Sequence, residues 1–184
     1  PAALEDALAA WRGLLASGFA PRDLVVAGDS AGGGLSLALV LSLRDSGEPL
    51  PSAVVCVSPW TDLAASGGSR AEKAGAEAIL SVARLDEWAL RYAGSAGLDH
   101  PLVSPLRAEL RGLPPLLVQA GSEEILLDDS VKLAAKAEAA GVEARLSVWP
   151  GLFHAWPALG GLLPESVLAF AEARGFILAV EARP

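Results

Sequence analysis

A five-residue motif, Gly-Asp-Ser-Ala-Gly at 28–32, is the part of this sequence best suited to chemistry. An apolar run with β-branched residues precedes it and an apolar helical pattern follows it, which predicts a sharp strand-to-helix turn at Ser30. Such a turn lifts the hydroxyl clear of the sheet, and Gly28 and Gly32 omit Cβ atoms that would clash there. The backbone N–H of Ala31 opens the helix, where it can stabilise an oxyanion. Ser30 is therefore the candidate nucleophile.

The glycine-rich segment 28–34 also fits a plain strand-to-helix turn or a cradle for phosphate groups. A phosphate-binding P-loop ends in Gly-Lys followed by Ser or Thr, and a dinucleotide site has the spacing Gly-x-Gly-x-x-Gly. Neither pattern occurs in this segment. The context of strand, turn and helix favours a nucleophile over a phosphate site.

A serine hydroxyl becomes a good nucleophile when a neighbouring base takes its proton, so a histidine is expected downstream of Ser30. The chain has two histidines, His100 and His154. His100 lies in an irregular region, where a solvated loop histidine is the simpler interpretation. His154 follows a predicted strand, and the loops at the carboxyl ends of parallel strands gather at one edge of a sheet. His154 is therefore the candidate base.

A carboxylate is expected between the serine and the histidine, because folds with this turn order the triad as Ser, Asp or Glu, then His. The loop after the predicted strand at 116–119 offers Glu123, Glu124, Asp128 and Asp129. The two aspartates fit the N-cap and first turn of the next helix, which is a complete structural explanation for them. Spacing alone leaves the two glutamates as alternative acids.

Strands and helices that alternate along most of the chain position these residues. The first segment places Leu4, Leu8, Trp11 and Leu15 on one helical face before Gly18. The predicted strands then lie at 24–28, 53–57, 116–119 and 144–149, and the predicted helices at 31–43, 82–92, 128–140 and 164–180. This alternation predicts an α/β fold with a mainly parallel sheet flanked by helices.

Charge, hydropathy and cysteine content argue against several classes of function. The net charge is −8, from 14 basic and 22 acidic residues, and it repels nucleic-acid backbones and anionic lipid. No apolar run reaches the roughly 18 residues of a membrane span, and we take the cytoplasm as the expected compartment. The single cysteine, Cys56, lies in an apolar run and is predicted to pack in the core. The spacing of Cys and His residues predicts no metal site.

Four motifs together resemble the hormone-sensitive-lipase-like family of bacterial carboxylesterases, also called bacterial family IV. They are Gly-Asp-Ser-Ala-Gly-Gly at 28–33, Ser-Pro-Trp-Thr-Asp-Leu at 58–63, Glu-Ile-Leu-Leu-Asp-Asp at 124–129, and the loop with Phe153 and His154. The likeness extends over residues 1–176. It implies an α/β-hydrolase fold and carboxylesterase activity.

The resemblance implies a role for each matching residue. The family's serine falls on Ser30 and its histidine on His154; its acid, commonly an aspartate, falls on Glu124, with Glu123 as the fallback. The family hydrolyses short to medium acyl esters through an acyl-enzyme and requires no metal or organic cofactor. The candidates for the substrate pocket, with ordinary core packing as the alternative for the aromatic ones, are Asp29, Trp60, Trp88, Tyr92, Leu152 and Phe153.

Two other classes of function fit the same residues. An amidase, peptidase or acyltransferase would use the same triad, because a fold does not determine a reaction. A catalytically silent, ligand-binding homologue is the other alternative. The presence of Ser30, a carboxylate and His154 argues against silence, whereas the lack of upstream oxyanion donors argues for it.

The chain departs from the family in lacking a His-Gly-Gly-Gly motif, which supplies part of the family's oxyanion hole from an upstream loop. We therefore expect the first strands and part of the cap to be missing here, and a separate chain or segment to supply them. An apolar strand at 24–28 and a hydrophobic content of 52% agree with that expectation. The resemblance divides the chain into catalytic core with the elbow at 1–63, cap insertion at 64–106 and remaining core at 107–184. It also implies a homodimer through the last strand, 144–149.

Overall fold

The structure is a computed structural model that describes residues 2–183. Four strands, all parallel, form a sheet in the order β1-β2-β3-β4. The strands are β1 (Val25–Asp29), β2 (Ala53–Val57), β3 (Leu116–Gly121) and β4 (Ala144–Trp149). The helices are α1 (Ala2–Ala16), α2 (Ala31–Asp45), α3 (Ser69–Glu72), α4 (Val82–Ala93), α5 (Leu127–Ala139) and α6 (Pro164–Glu181). The predicted alternation is confirmed.

The boundaries of several elements differ from the sequence prediction by a few residues. β1 begins one residue later than expected and includes Asp29, β3 continues to Gly121, and α2 continues to Asp45. β2 and β4 have the predicted limits. An apolar pattern does not predict where a strand ends when its last residues are polar or glycine. Pairing with the neighbouring strand, and not hydropathy, keeps such residues extended.

Helices cover the two faces of the sheet and close two apolar cores. On one face Leu37 and Leu41 of α2 pack with Val118 of β3 and Leu133 of α5. On the other face Phe176 of α6 packs against β2 and β3. The central strands β2 and β3 are buried on both sides, which explains the unbroken apolar sequences of β2 and of residues 116–118 in β3.

The first helix lies against α2, away from the sheet. Leu4 and Trp11 of α1 are buried and pack with Leu39 and Leu43 of α2. A helix that is covered by the sheet on one side and by another helix on the other is apolar nearly all round, as the sequence of α2 predicts.

The segment between β2 and β3 contributes α3 and α4 and a further apolar cluster. Leu85 and Ala89 of α4 are buried at helical spacing, and they pack with Trp60, Ile125 and Leu126 from the loops that follow β2 and β3. This cluster therefore lies beside the carboxyl ends of the strands. Treating 64–106 as a cap stays a prediction.

No helix between residues 2 and 183 is both long enough and apolar enough to cross a membrane.

Gly34→Ala is expected to destabilise the chain. A Cβ at this position would overlap the carbonyl oxygen of Trp60, and such overpacking costs about 1–3 kcal/mol. Gly175→Ala in α6 is the matched control, because its added Cβ meets no atom of another segment within 4 Å and alanine favours a helix by about 1 kcal/mol. Urea unfolding of both variants measures the effect; equal stabilities would contradict the packing of α2 on the loop after β2.

Candidate active site

Ser30 lies at the turn between β1 and α2 in a strained backbone conformation. Its φ of 52° and ψ of −122° are unusual for a residue with a side chain. The Ser30 N–H donates to the carbonyl oxygen of Val57 at 2.9 Å, and its own carbonyl accepts from the N–H of Gly33 at 3.0 Å. The turn is thus held from both sides. The N–H of Ala31 opens α2, where first-turn N–H groups have no acceptor within the helix.

The two glycines that flank Ser30 in the motif differ in how closely other atoms approach them. A Cβ on Gly28 would overlap the carbonyl oxygen of Gly32, as expected for the tight turn. A Cβ on Gly32 would meet no atom within 4 Å among residues 2–183 outside its chain neighbours and the nearby backbone of its own helix, so no clash with another segment is found there. The close approaches are at Gly33 and Gly34, where Pro59 and Trp60 pack against the helix.

His154 and Glu124 form a buried pair. The Nδ1 atom of His154 lies 2.8 Å from Oε2 of Glu124, and the relative exposures of the two residues are 3% and 0%. The other carboxylate oxygen of Glu124 accepts the N–H of Gly121 at 3.0 Å. Both oxygens of this buried carboxylate therefore have partners, which offsets the cost of removing it from water.

Glu123 faces a different environment. Its carboxylate accepts the hydroxyl of Ser122 at 2.7 Å and lies 3.5 Å from Nζ of Lys73, and its side chain is 38% exposed. The hydrogen bond from Ser122 lowers the pKa of Glu123 most, and the positive charge of Lys73 lowers it further. Of the two glutamates that the sequence left open, the structure thus places Glu124 against the imidazole.

The loop that follows β2, residues 58–62, links the serine to the histidine. Its Trp60 N–H donates to the carbonyl oxygen of Ser30 at 2.9 Å. The hydroxyl of Ser58 accepts the N–H of Ala155, the residue after His154, at 3.0 Å. The sequence predicts no separate role for Ser58, because a serine after a strand has no local signature. Only its membership in the motif 58–63 marked it.

The loop of His154 is also fixed from β3 and α6. The carbonyl oxygen of Leu152 accepts the N–H of Glu123 at 2.9 Å, and a Cβ on Gly121 would overlap the same oxygen. Trp156 is fully buried, and its carbonyl accepts the hydroxyl of Ser166 at 2.7 Å. His154 therefore lies between two segments that have little freedom to move.

Two apolar cavities flank the site. A cavity of about 260 Å³ lies beside the start of α2 and is lined by Ala31, Leu35, Trp60, Leu63, Trp88 and Tyr92 among others. A larger groove of about 730 Å³ lies between β1 and α6 and includes Ala27, Asp29, Ala155, Phe170, Ile177 and Leu178.

The residues predicted to line the substrate pocket do not all line the same cavity. Trp60, Trp88 and Tyr92 line the smaller cavity, whereas Asp29 is exposed and lines the groove. Leu152 and Phe153 are half-buried and line neither cavity. Placing the last two in the pocket remains a prediction that these cavities do not support.

His100 lies on an exposed turn, where its Nδ1 accepts the N–H of Leu102 at 3.1 Å. This local hydrogen bond agrees with its interpretation as a loop histidine.

Comparison with known proteins extends the likeness over nearly the whole chain. Residues 1–158 match a family model described as an alpha/beta hydrolase fold. An acetyl-hydrolase of Streptomyces hygroscopicus is 46% identical over 177 residues, which are 96% of this chain and 59% of that protein. An esterase of Acinetobacter venetianus is 35% identical over 98% of this chain and 60% of its own length.

Solved structures agree with these relatives. The crystal structure of EstE5 soaked by ethyl alcohol superimposes with a TM-score of 0.97 at 43% identity and covers 100% of this chain and 62% of its own. A structure described as an esterase from the bacterial hormone-sensitive lipase family has a TM-score of 0.92 at 46% identity, over 95% of this chain and 59% of its own. The chain belongs to the hormone-sensitive-lipase-like family of α/β-hydrolases. It spans about 60% of the length of these relatives.

In this hormone-sensitive-lipase-like chain, the motif 124–129 begins α5 and also binds the backbone of the segment that follows β2. The N-cap of α5 is Leu126, so the expected N-cap role of Asp128 is wrong, whereas the first-turn position expected of Asp129 is confirmed. Asp128 also lies in that first turn. Oδ2 of Asp129 accepts the N–H groups of Thr61 and Asp62 at 2.7 and 2.8 Å. Asp128 accepts the N–H of Gly68 at 2.7 Å. The two aspartates thus tie the segment after β2 to α5.

Burial raises the pKa of Asp129 to about 7, although the N–H groups of Thr61 and Asp62 act to lower it. An acid whose pKa is raised by folding binds its proton more tightly in the folded chain. The stability that this proton contributes is fully present below the ordinary pKa of 3.8 and is lost as the pH rises through about 7.

We therefore expect the free energy of unfolding of the wild type to fall, relative to that of Asp129→Asn, as the pH rises from 4 to 8. The amide keeps one oxygen for the backbone N–H groups and has no proton to lose. Asp128→Asn is the control and should keep the wild-type trend. Urea unfolding at each pH measures the difference; parallel curves for wild type and Asp129→Asn would contradict the prediction.

Proposed function

We propose that this chain carries the catalytic triad of a carboxylic ester hydrolase that acts on short to medium acyl esters. Ser30 is the nucleophile, His154 the general base and Glu124 the acid that orients it. The observation that carries the proposal is the buried hydrogen bond between Nδ1 of His154 and Glu124. The loop after β2 joins this pair to the strained turn of Ser30 through hydrogen bonds to Ala155 and Ser30. The membership of the chain in a family of esterases and acetyl-hydrolases supports it.

The proposed reaction follows from the roles that this geometry allows. With the Nδ1–H of His154 donated to Glu124, Nε2 is left as an acceptor for the hydroxyl proton of Ser30. The Ser30 oxygen attacks the ester carbonyl, and the negative charge that develops is stabilised by the N–H of Ala31. His154 then returns the proton to the leaving alcohol, and water hydrolyses the acyl-enzyme by the same steps.

We also propose that a further segment supplies additional oxyanion donors. In the relatives, this segment would precede the part that matches the present chain. The strand β1 pairs only with β2 among the described residues, and Ala27 is exposed at its edge. The groove between β1 and α6 is mostly apolar, with Phe170 and Leu178 on its far side. An uncovered strand edge beside an apolar groove favours pairing with another segment. The shared length of about 60% leaves room for one in the relatives.

Pairing of two chains through β4 also stays a proposal. This strand is the other outermost strand of the described sheet, and Val148 is 40% exposed.

Two substitutions of the triad are expected to abolish hydrolysis of p-nitrophenyl acetate and butyrate. Ser30→Ala removes the attacking oxygen and should lower kcat on the order of 10⁴-fold or more. Glu124→Gln leaves the imidazole in the wrong tautomer and should lower kcat by about 10³- to 10⁴-fold. The assay uses the 184-residue chain and a chimera in which the unmatched N-terminal part of the Streptomyces hygroscopicus acetyl-hydrolase precedes it.

Glu123→Gln is the matched control, because it makes the same change one residue away on a carboxylate that does not contact His154. It should keep kcat within about twofold. Equal losses in the two glutamine variants would refute the assignment of Glu124. A chimera that cleaves p-nitrophenyl esters no faster than its Ser30→Ala form, or that prefers the matching p-nitroanilide, would refute the esterase.

The acyl group is proposed to occupy the smaller cavity. His154 must protonate the leaving alcohol, and Ala155 of its loop lines the other space, which leaves the cavity beside Ala31 for the acyl chain. Trp88 closes part of this cavity and is 42% exposed.

Trp88→Ala is expected to shift the chain-length preference toward longer acyl groups. The ratio of kcat/KM for p-nitrophenyl octanoate to that for the acetate should rise by about tenfold. Leu90→Ala is the control, since Leu90 is exposed on the same helix and does not line the cavity. An unchanged ratio in Trp88→Ala would place the acyl chain elsewhere.

A further inference from the structure

Backbone strain is concentrated around the candidate site. Four residues other than glycine have positive φ in the part of the chain from 2 to 183: Ser30, Ser58, Ala65 and Ala155. Three of them, at 52°, 47° and 53°, belong to the nucleophile turn, the loop after β2 and the histidine loop. Strain of this kind persists only where the surrounding structure holds it, and it is concentrated at functional sites. The strain at Ser30 is explained by the elbow, but that at Ser58 and Ala155 has no such explanation.

The two remaining strained residues of the site hold each other. The hydroxyl of Ser58 accepts the N–H of Ala155 at 3.0 Å, across 97 residues of sequence. Ser58 is fully buried, and its own N–H donates to the carbonyl oxygen of Gln119 in β3 at 2.6 Å. Ser58 is thus fixed to the sheet, and it fixes the backbone immediately after His154.

This contact complements the one that His154 makes itself. The hydrogen bond to Glu124 holds Nδ1, but the position of the imidazole also depends on where the His154 backbone lies. The N–H of Ala155 belongs to the peptide bond that follows His154, so its acceptor determines where that backbone lies. The loop that carries Ser58 also holds Ser30, through the N–H of Trp60.

We propose that Ser58 is a positioning residue, whose hydroxyl holds the His154 backbone in register with Ser30 through the N–H of Ala155. The proposal rests on the proposed function in that it assigns His154 as the base. Ser58 does not act on the substrate. It sets the distance over which the proton of Ser30 must travel, and an error of about 1 Å in such a distance can cost on the order of 10²-fold in rate.

Three variants test this, each in the 184-residue chain and in the chimera. Ser58→Ala removes the hydroxyl. Ser58→Gly also removes it but relieves the strain of the positive φ, so it keeps the test valid if the alanine variant folds poorly. Ser104→Ala is the matched control, because Ser104 is equally buried and its hydroxyl accepts a backbone N–H, that of Leu63, at 2.9 Å.

Ser58→Ala and Ser58→Gly are expected to lower kcat for p-nitrophenyl butyrate by about 10- to 100-fold, with KM within about twofold of wild type. Ser104→Ala should lose stability to a similar degree and keep kcat within about twofold. A loss of kcat in Ser104→Ala equal to that in Ser58→Ala would overturn the proposal, because it would reduce Ser58 to a general packing role.

A second measurement separates failure of this proposal from failure of the esterase proposal. His100 and His154 are the only histidines, so ¹⁵N-histidine labelling allows the Nδ1–H of His154 to be followed by NMR without any substrate. This proton, hydrogen-bonded to Glu124, should be shifted downfield in wild type and Ser104→Ala, and broadened or shifted in both Ser58 variants. An unchanged signal in Ser58→Gly would overturn the proposal even if no form of the protein hydrolyses esters.

Discussion

Parallel pairing of four strands places all their carboxyl ends at one edge, and each group of the candidate site begins at one of those ends. The register aligns Asp29 of β1 with Val57 of β2 and, through it, with Gln119 of β3. The elbow, the loop after β2, the Glu124 turn and the histidine loop therefore leave the sheet side by side. Sequence distances of about a hundred residues become single hydrogen bonds because the strands are in register.

Two carboxylates at this edge are buried, and hydrogen bonds compensate for their removal from water. Glu124 is fully buried, and each of its oxygens has a partner, one from the backbone of Gly121 and one from His154. Asp129 is nearly as buried and holds two backbone N–H groups with one oxygen, and its pKa is raised by that burial. One oxygen of Glu124 has an imidazole as its partner, whereas Asp129 accepts N–H groups of the backbone. Burial alone therefore does not identify an acid of the site.

Local pattern predicted much of this arrangement. The elbow could be recognised from 28–32 because its glycines and flanking periodicity act within a few residues. The strands β2 and β4 were predicted with their observed limits, since both are bounded by turn-forming residues. The prediction of Asp128 as the helix N-cap was wrong, because α5 begins after Leu126 and the N–H group that Asp128 accepts belongs to Gly68, sixty residues away.

The sequence by itself determined the order of the chemical groups, the strand-to-helix turn at Ser30 and the family, because these depend on neighbours along the chain. Spacing left Glu123 and Glu124 as alternatives and the family resemblance favoured Glu124. The contact of Glu124 with His154, and that of Ser58 with Ala155, depend on tertiary structure. Adjacent residues in a turn point in different directions, and a contact across a sheet depends on register and on close packing of the loops. The spacing of residues along the chain determines neither the direction of a side chain nor the packing of the loops, so both depend on the fold.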